Sequence, residues 1–197
     1  IRLNSDIYGM RKGLIPTVDF YNRWYGKNRW SFSTIRSISI GQGEVKLTPL
    51  QMANIAVIIA NKGWFYTPHF VKNSNRKKNY TGIDKKHFNP VIDGMKRVIN
   101  ETGGTARLAR IDNVSICGKT GTVQNPHGKD HSVFIAFAPV DSPRIAIAVF
   151  IENSGFGGTW AAPTASLMIE KYLTNKVLDK EKENRIINAN LLNRNNK

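Results

Sequence analysis

Two neighbouring apolar runs, residues 132–138 and 144–152, constrain the fold of this chain more than any other feature. Apolar side chains occupy both alternating sets of positions in each run, and a short turn with two prolines, Pro139 and Pro143, separates the runs. This pattern predicts an antiparallel hairpin. Because both of its faces are apolar, we expect both to be covered. Alanines on one face of each strand would let a helix approach closely.

The sequence around this hairpin supplies a third strand and the helices to cover it. Ser115–Gln124 is predicted to be a strand. Thr48, Pro49 and Gln51 form a capping box with proline at the first helical position, so a helix should run from Leu50 to about Asn61. Apolar spacing predicts two more helices, over residues 88–100 and 162–175. The expected fold class is α+β, with antiparallel strands covered by helices.

The composition shows a strong excess of positive charge. The chain has 197 residues, with 29 Lys and Arg against 14 Asp and Glu, for a net charge of +15. The excess is spread over residues 1–36, 72–86 and 176–197, which favours a solvated basic surface over nucleic-acid binding. A membrane surface would exploit the same charge. We expect residues 72–86 to form an exposed loop, and the Asn-rich tail at 176–197 to be either a frayed helix or disordered.

Cysteine, histidine and hydropathy exclude several classes of site. The single cysteine, Cys117, excludes an internal disulfide and a cysteine metal cluster, and it is expected to be a buried small hydrophobe. The four histidines lack metal-ligand spacing, so we expect no metal and no cofactor. Apolar runs such as Ile55–Ala60 are far shorter than the ~20 residues of a membrane span.

The sharpest local signal is the sequence Gly118-Lys119-Thr120-Gly121-Thr122. A phosphate-binding loop would need a glycine where Asn113 stands, and it would have to open a helix, which the following residues do not favour. The alternative is the Lys-Thr-Gly strand of serine acyl-transferases that react with penicillin. In that arrangement an ammonium and two hydroxyls bind a carboxylate. An ordinary surface strand would carry the same triplet.

Further motifs, in order along the chain, resemble those of class B penicillin-binding proteins. The matching segments are Gly13–Thr17 ("GLIPT"), Gly41–Gly43 with Leu47–Ala53 ("GQG…TPLQMA"), Gly104–Ala106 with Gly118–Thr122 ("GTA…GKTGT"), Phe134–Pro139 ("AFAP") and Gly157–Pro163 ("GG…AAP"). "GLIPT" favours the penicillin-binding protein 2 branch, which works in cell elongation. The resemblance covers roughly residues 9–175.

The resemblance implies a fold and an activity. The fold would be the C-terminal half of a transpeptidase domain similar to penicillin-binding proteins and serine β-lactamases, formed by residues 1–175. The activity would be peptidoglycan D,D-transpeptidation through a serine acyl-enzyme. Lys119 and Thr122 would be catalytic, with the Thr122 N–H an oxyanion donor. Thr120, Gly121 and Thr122 would bind the substrate or a β-lactam.

The chain departs from the family at the nucleophile. The family needs Ser-x-x-Lys and then Ser-x-Asn or Ser-x-Asp before Lys-Thr-Gly. The second motif does not occur here, and the one Ser-x-x-Lys, at Ser74, follows "TPLQMA" although the family's serine precedes it. We interpret Ser74 as a coincidence. The nucleophile is expected in sequence preceding Ile1, and this chain alone should be inactive.

The implied setting is the bacterial inner membrane, on its periplasmic face, with the anchor outside this chain. Implied partners are peptidoglycan stem peptides, β-lactam antibiotics and cell-wall elongation proteins, with no nucleic acid. Two alternatives stay open. One is a serine β-lactamase or penicillin sensor, and the other is a non-catalytic basic module that binds an anionic polymer.

Overall fold

Helices cover both faces of a three-stranded antiparallel sheet in the computed structural model, which describes residues 9–72 and 77–191. The helices and strands, in chain order, are α1 (Val18–Tyr25), α2 (Phe32–Ser39), α3 (Pro49–Ala60), β1 (Trp64–Tyr66), β2 (Lys78–Tyr80), α4 (Phe88–Asn100), β3 (Cys117–Val123), β4 (His131–Ala138), β5 (Ile145–Ile151), α5 (Ala161–Thr174) and α6 (Lys180–Ile187). Short 3₁₀ turns precede α4 and follow it, at Lys85–His87 and Arg107–Ala109.

The main sheet has the order β3-β4-β5, with neighbouring strands antiparallel. Thr120 pairs with Phe134, which in turn pairs with Val149. The three strands lie within two residues of their predicted bounds, so the prediction of an antiparallel sheet in this order is confirmed. β4 is the central strand, and β3 has a strand partner on one side only within the described residues.

The two apolar faces of the sheet pack against different helices, as the hairpin pattern predicts. On one face the fully buried Ala136 and Ala138 of β4 share a core with Ala162 and Ala165 of α5. On the other face Phe137 packs with helices α3 and α4 and with Cys117. Small side chains allow the close approach of α5, and each buried large side chain contributes about 1.5–3 kcal/mol of hydrophobic free energy.

The predicted capping box forms at the start of α3 and also fixes the N-terminal segment. The Thr48 hydroxyl accepts a hydrogen bond from the Gln51 N–H at 3.2 Å, and the Thr48 N–H donates to the Gln51 side chain at 2.8 Å. The side-chain amide nitrogen of Gln51 donates a hydrogen bond to the Lys12 carbonyl at 2.9 Å. Gly13 has φ +67°, and a Cβ there would lie 2.6 Å from the Lys46 carbonyl oxygen. Only glycine fits this crossing.

The prediction that residues 72–86 form a loop is wrong for part of the segment. β2 pairs with β1 in a two-stranded antiparallel sheet, in which Lys78 lies opposite Tyr66. The Lys78 ammonium also lies 3.8 Å from the centroid of the Trp64 ring, which is cation–π geometry. The local sequence is polar and has no strand pattern. The pairing depends on the aromatic residues of β1, which lie more than ten positions earlier.

The start of the C-terminal tail is helical. Of the two expectations for the tail, a helix or disorder, the helix is therefore the one that holds for residues 180–187. Asp179 caps α6 by accepting a hydrogen bond from the Lys182 N–H at 2.9 Å. The Lys182 ammonium donates to the Arg110 carbonyl at 3.0 Å, and the Arg185 guanidinium donates to the Thr159 carbonyl at 2.9 Å. These contacts hold α6 against the body of the fold. No helix within the described ranges combines the length and the hydropathy that crossing a bilayer requires.

We predict that Gly118→Ala destabilises the fold by about 1–3 kcal/mol, because a side chain here overpacks the core. A Cβ at this position would lie 2.2 Å from the tip of the fully buried Phe134 ring. Urea unfolding followed by tryptophan fluorescence measures the change. Gly103→Ala is the control, since its Cβ would meet nothing within 4 Å. Equal stability of the two variants would contradict this account of the packing.

Candidate functional site

The outer edge of β3 exposes backbone groups of the Gly118–Thr122 segment. The Thr122 carbonyl accepts a hydrogen bond from the Gln42 side-chain amide at 3.0 Å, and the Thr120 carbonyl accepts one from the Lys119 ammonium at 2.8 Å. Both carbonyls therefore point away from β4. In an antiparallel strand the N–H and C=O of one residue point to the same side. The N–H groups of Thr120 and Thr122 consequently face the same outer edge.

The side chains of Thr120 and Thr122 lie on one face of β3 and line a cavity of about 420 Å³. Thr105, Arg107, Phe156 and the glycine pair after Phe156 also line it. The hydroxyl oxygens of Thr105 and Thr120 are 2.8 Å apart, within hydrogen-bonding distance. Threonine hydroxyls beside an arginine are groups that bind a carboxylate.

Gly157 and Gly158 bring the loop before α5 into contact with the sheet. A Cβ at Gly157 would lie 2.3 Å from the Val133 carbonyl oxygen and 2.5 Å from that of Gly121. A Cβ at Gly158 would lie 2.0 Å from the Thr105 carbonyl oxygen. A side chain at Gly157 would push the loop off the strands, and one at Gly158 would push it away from Thr105. The glycine pair therefore sets the depth of the cavity.

A buried serine holds this loop in place. Ser132 is fully buried opposite Thr122 on β4. Its hydroxyl donates to the Phe156 carbonyl and accepts from the Ala161 N–H, both at 3.0 Å. One hydroxyl thus joins the central strand, the loop and the first residue of α5.

Strand alternation separates Lys119 from the two threonine side chains. Lys119 is exposed, and it lies on the opposite face of β3 from Thr120 and Thr122. Its ammonium bends to the outer edge of the strand, where it donates a hydrogen bond to the Thr120 carbonyl. None of the ion pairs between described residues includes Lys119. The predicted site residues thus form two groups, a lysine at the edge and a hydroxyl pair in the cavity.

The segment that carries Gln42 is fixed at both ends. The Gln42 N–H donates to the Ser37 carbonyl at the end of α2, at 3.1 Å. On the other side, the Glu44 carboxylate accepts hydrogen bonds from the hydroxyls of Tyr21 (3.0 Å) and Tyr25. The hydrogen bond from Tyr25 is the main cause that lowers the pKa of Glu44. Burial, together with the neighbouring carboxylate, raises the pKa of Tyr21 to about 12.

The other candidate side chains have structural surroundings. Cys117 is fully buried, its thiol lies 3.4 Å from the Ile92 carbonyl, and burial raises its pKa to about 12. A thiol of this kind is not a nucleophile near neutral pH. His131 accepts a hydrogen bond from the Asn153 N–H at 3.0 Å. Ser74 lies outside the described residues.

No group of three or more His, Cys, Asp or Glu side chains in residues 9–72 and 77–191 is placed to hold a metal ion.

Comparison with known proteins agrees with the motifs. Residues 13–170 match the family described as "Penicillin binding protein transpeptidase domain". This chain belongs to that family. The "Peptidoglycan D,D-transpeptidase MrdA" of Haemophilus influenzae is 32% identical over 206 aligned residues, which cover 86% of this chain and 30% of that protein. The chain therefore spans about a third of the length of this relative.

Solved structures of penicillin-binding proteins share the fold. The chain superposes on penicillin-binding protein 2 in its complex with MreC from Helicobacter pylori with a TM-score of 0.79 and 25% identity, covering 88% of this chain and 33% of that one. A ceftriaxone acyl-enzyme complex of penicillin-binding protein A from M. tuberculosis gives a TM-score of 0.63 and 32% identity, over 70% of this chain and 35% of that one. The predicted fold class is confirmed.

The sequence indicated the strand of this candidate site but not the residues that surround it. Thr105 and Gln42 stand inside motifs that identified the family, yet nothing in the local pattern indicated that they would contact β3. Arg107 gave no signal at all. A search for polar residues flanked by glycines, such as Gln42 between Gly41 and Gly43, would have singled out one of the three.

We predict that the stability of the chain falls between pH 10 and pH 12, and that Tyr21→Phe reduces this loss. The raised pKa keeps Tyr21 protonated in the folded state, whereas the unfolded chain releases that proton near pH 10. Proton release therefore favours unfolding as the pH rises. Denaturant unfolding at several pH values measures the slope. Tyr172→Phe, at an exposed side chain, is the control and should leave the slope unchanged. Equal slopes for wild type and Tyr21→Phe would contradict the effect.

Proposed function

We propose that this chain supplies the substrate-binding strand of a peptidoglycan D,D-transpeptidase that reacts through a serine acyl-enzyme and binds penicillin. The observation that carries the proposal is the Gly118–Thr122 strand, whose outer edge has no strand partner in the described residues and whose two threonine hydroxyls line a cavity. Residues 1–175 would belong to the transpeptidase domain, with 176–197 as a basic C-terminal segment. The Ser-x-x-Lys and Ser-x-Asn or Ser-x-Asp groups would come from sequence outside this chain.

The reaction would proceed in two acyl transfers. The serine oxygen attacks the carbonyl carbon of the penultimate D-Ala of a stem peptide, the amide C–N bond breaks, and the terminal D-Ala leaves with the proton. An amine of a second stem then attacks the ester carbonyl. A new amide forms, and the serine recovers its proton. A β-lactam would acylate the same serine by opening its ring.

Each site residue would have a separate role in these steps. The exposed ammonium of Lys119 would keep the cleft positive and assist proton movement. The hydroxyls of Thr120 and Thr122 would bind the terminal carboxylate of the substrate, supported by Arg107, which lines the same cavity. The Thr122 N–H faces the outer edge together with its carbonyl. It would donate to the developing oxyanion.

The outer edge of β3 would bind the stem peptide as an added strand. An extended peptide pairs with the exposed N–H and C=O groups of an edge strand. Gly121 has no side chain, which would keep the approach to the strand open. The same surface would admit the amide of a β-lactam.

The cellular setting would be the periplasmic face of the bacterial inner membrane, with the anchor outside this chain. The family contains a penicillin-binding protein 2 that was solved with MreC. By that likeness, this protein would work with cell-wall elongation partners. The basic surface would suit a position near anionic lipids.

We predict that the 197-residue chain alone is not acylated by penicillin. Its one Ser-x-x-Lys, at Ser74, follows the "TPLQMA" segment instead of preceding it. Intact-mass analysis after prolonged exposure to benzylpenicillin should show no adduct. A longer protein that adds the two missing serine motifs should gain one adduct per chain. A stoichiometric adduct at Ser74 in the 197-residue chain would overturn the assignment of the nucleophile.

We also predict that the backbone and the side chain of Thr122 contribute separately to acylation in such a longer protein. Thr122→Val removes only the hydroxyl. Since a hydrogen bond to a charged group contributes about 1.5–3 kcal/mol, acylation should slow about ten- to a hundredfold. Thr122→Pro also removes the N–H, and loss of one oxyanion donor costs roughly 10²–10³ in rate. The N–H faces away from β4, so proline should be tolerated.

The proline variant should therefore be at least about tenfold slower than the valine variant at a similar melting temperature. Acylation by a fluorescent penicillin measures both rates. If the two folded variants react equally fast, the Thr122 amide does not face the reacting carbonyl.

A further inference from the structure

Gln42 occupies a hydrogen-bond acceptor that an added strand would need. A peptide that pairs with the edge of β3 must donate an N–H to an outward carbonyl and accept from an outward N–H. The outward carbonyl of Thr122 already accepts the Gln42 side-chain amide at 3.0 Å. That amide and a substrate N–H would approach the same carbonyl from the open side of the strand.

The backbone beneath Gln42 is held, so its side chain is the part that can yield. The N–H groups of Gly41 and Gln42 donate to the Ile38 and Ser37 carbonyls at 3.0 and 3.1 Å. Glu44, two residues further on, is held by the hydroxyls of Tyr21 and Tyr25. The Gln42 side chain is half-buried and has three rotatable bonds between Cα and the amide.

We propose that the Gln42 carboxamide is a displaceable cap on the Thr122 carbonyl, which swings away when an acyl donor with a suitably placed N–H pairs with β3. This proposal rests on the proposed function. A ligand with that N–H replaces the hydrogen bond it removes. A ligand without that N–H leaves Gln42 in place. The cap therefore slows acyl donors that pair with β3 through such an N–H, because each of them must first displace the Gln42 hydrogen bond.

The cap also protects the strand edge when no substrate is bound. An exposed edge with free N–H and C=O groups can pair with the edge of another chain. Lys119 covers the Thr120 carbonyl and Gln42 covers the Thr122 carbonyl. Unlike Lys119, Gln42 is neutral and belongs to a separate segment of the chain. A substrate N–H would therefore replace the hydrogen bond of Gln42 more directly than that of Lys119.

The test compares Gln42→Met with wild type in a longer protein that carries this chain and the missing serine motifs. Methionine keeps the length of the side chain and has no N–H to donate. The second-order rate of acylation is measured with benzylpenicillin, whose side-chain amide has an N–H, and with penicillanic acid, which lacks that amide. Gln124→Met makes the same chemical change at an exposed residue just after β3 and is the control variant.

We expect Gln42→Met to react with benzylpenicillin about two- to tenfold faster than wild type, the factor that one neutral hydrogen bond is worth. Its rate with penicillanic acid, and both rates of Gln124→Met, should stay within twofold of wild type. Melting temperatures of all three proteins establish that they are folded.

Two results would overturn the cap and are distinguishable from each other. If wild type is acylated and Gln42→Met reacts with benzylpenicillin at the same rate or more slowly, the cap is wrong and the proposed function stands. A slower variant would mean that the carboxamide helps to hold the acyl donor. If wild type is not acylated by either β-lactam, the proposed function fails, and the cap fails with it.

Discussion

β4 forms hydrogen bonds with a strand on each side and packs against helices on both of its faces. Its residues Phe134, Ala136 and Phe137 are fully buried, and its neighbours take their positions from it. β3 is held along one side by β4, which leaves its other side open within the described part of the chain. The candidate site depends on this asymmetry, because a strand that is fixed on one side and has no strand partner on the other can bind a second strand with movement of side chains alone.

Close contacts between backbones shape the cavity beside that strand. Gly157 lies against the hydrogen-bonded backbones of β3 and β4, and Gly158 lies against Thr105. The buried Ser132 hydroxyl fastens the same loop to α5. Since the two glycine contacts leave no room for a Cβ, the positions of the Thr120 and Thr122 hydroxyls follow from the packing of the scaffold. A site placed in this way needs little rearrangement to bind a carboxylate.

The opposite side of the strand is organised by polar contacts. Tyr21 and Tyr25 of α1 hold Glu44, and the end of α2 holds the backbone of Gln42. These two short helices lie outside the sheet, yet they deliver one amide to the Thr122 carbonyl. The scaffold thus holds β3 by close packing on the cavity side. At its outer edge, a polar side chain can exchange its hydrogen bond with a ligand.

The amino-acid sequence by itself determined the local elements and the family. Two continuous apolar runs predicted β4 and β5, the capping box predicted α3, and the Gly118–Thr122 motif marked the strand of the site. These features are encoded by periodicity and by neighbouring residues, so they can be recognised without a structure. Only the tertiary structure decided that Lys78–Tyr80 pairs with β1 and that the Gln42 side chain donates to the Thr122 carbonyl. Gln42 and Thr122 are 80 residues apart. Contacts over such separations depend on how whole elements pack, which no local pattern records.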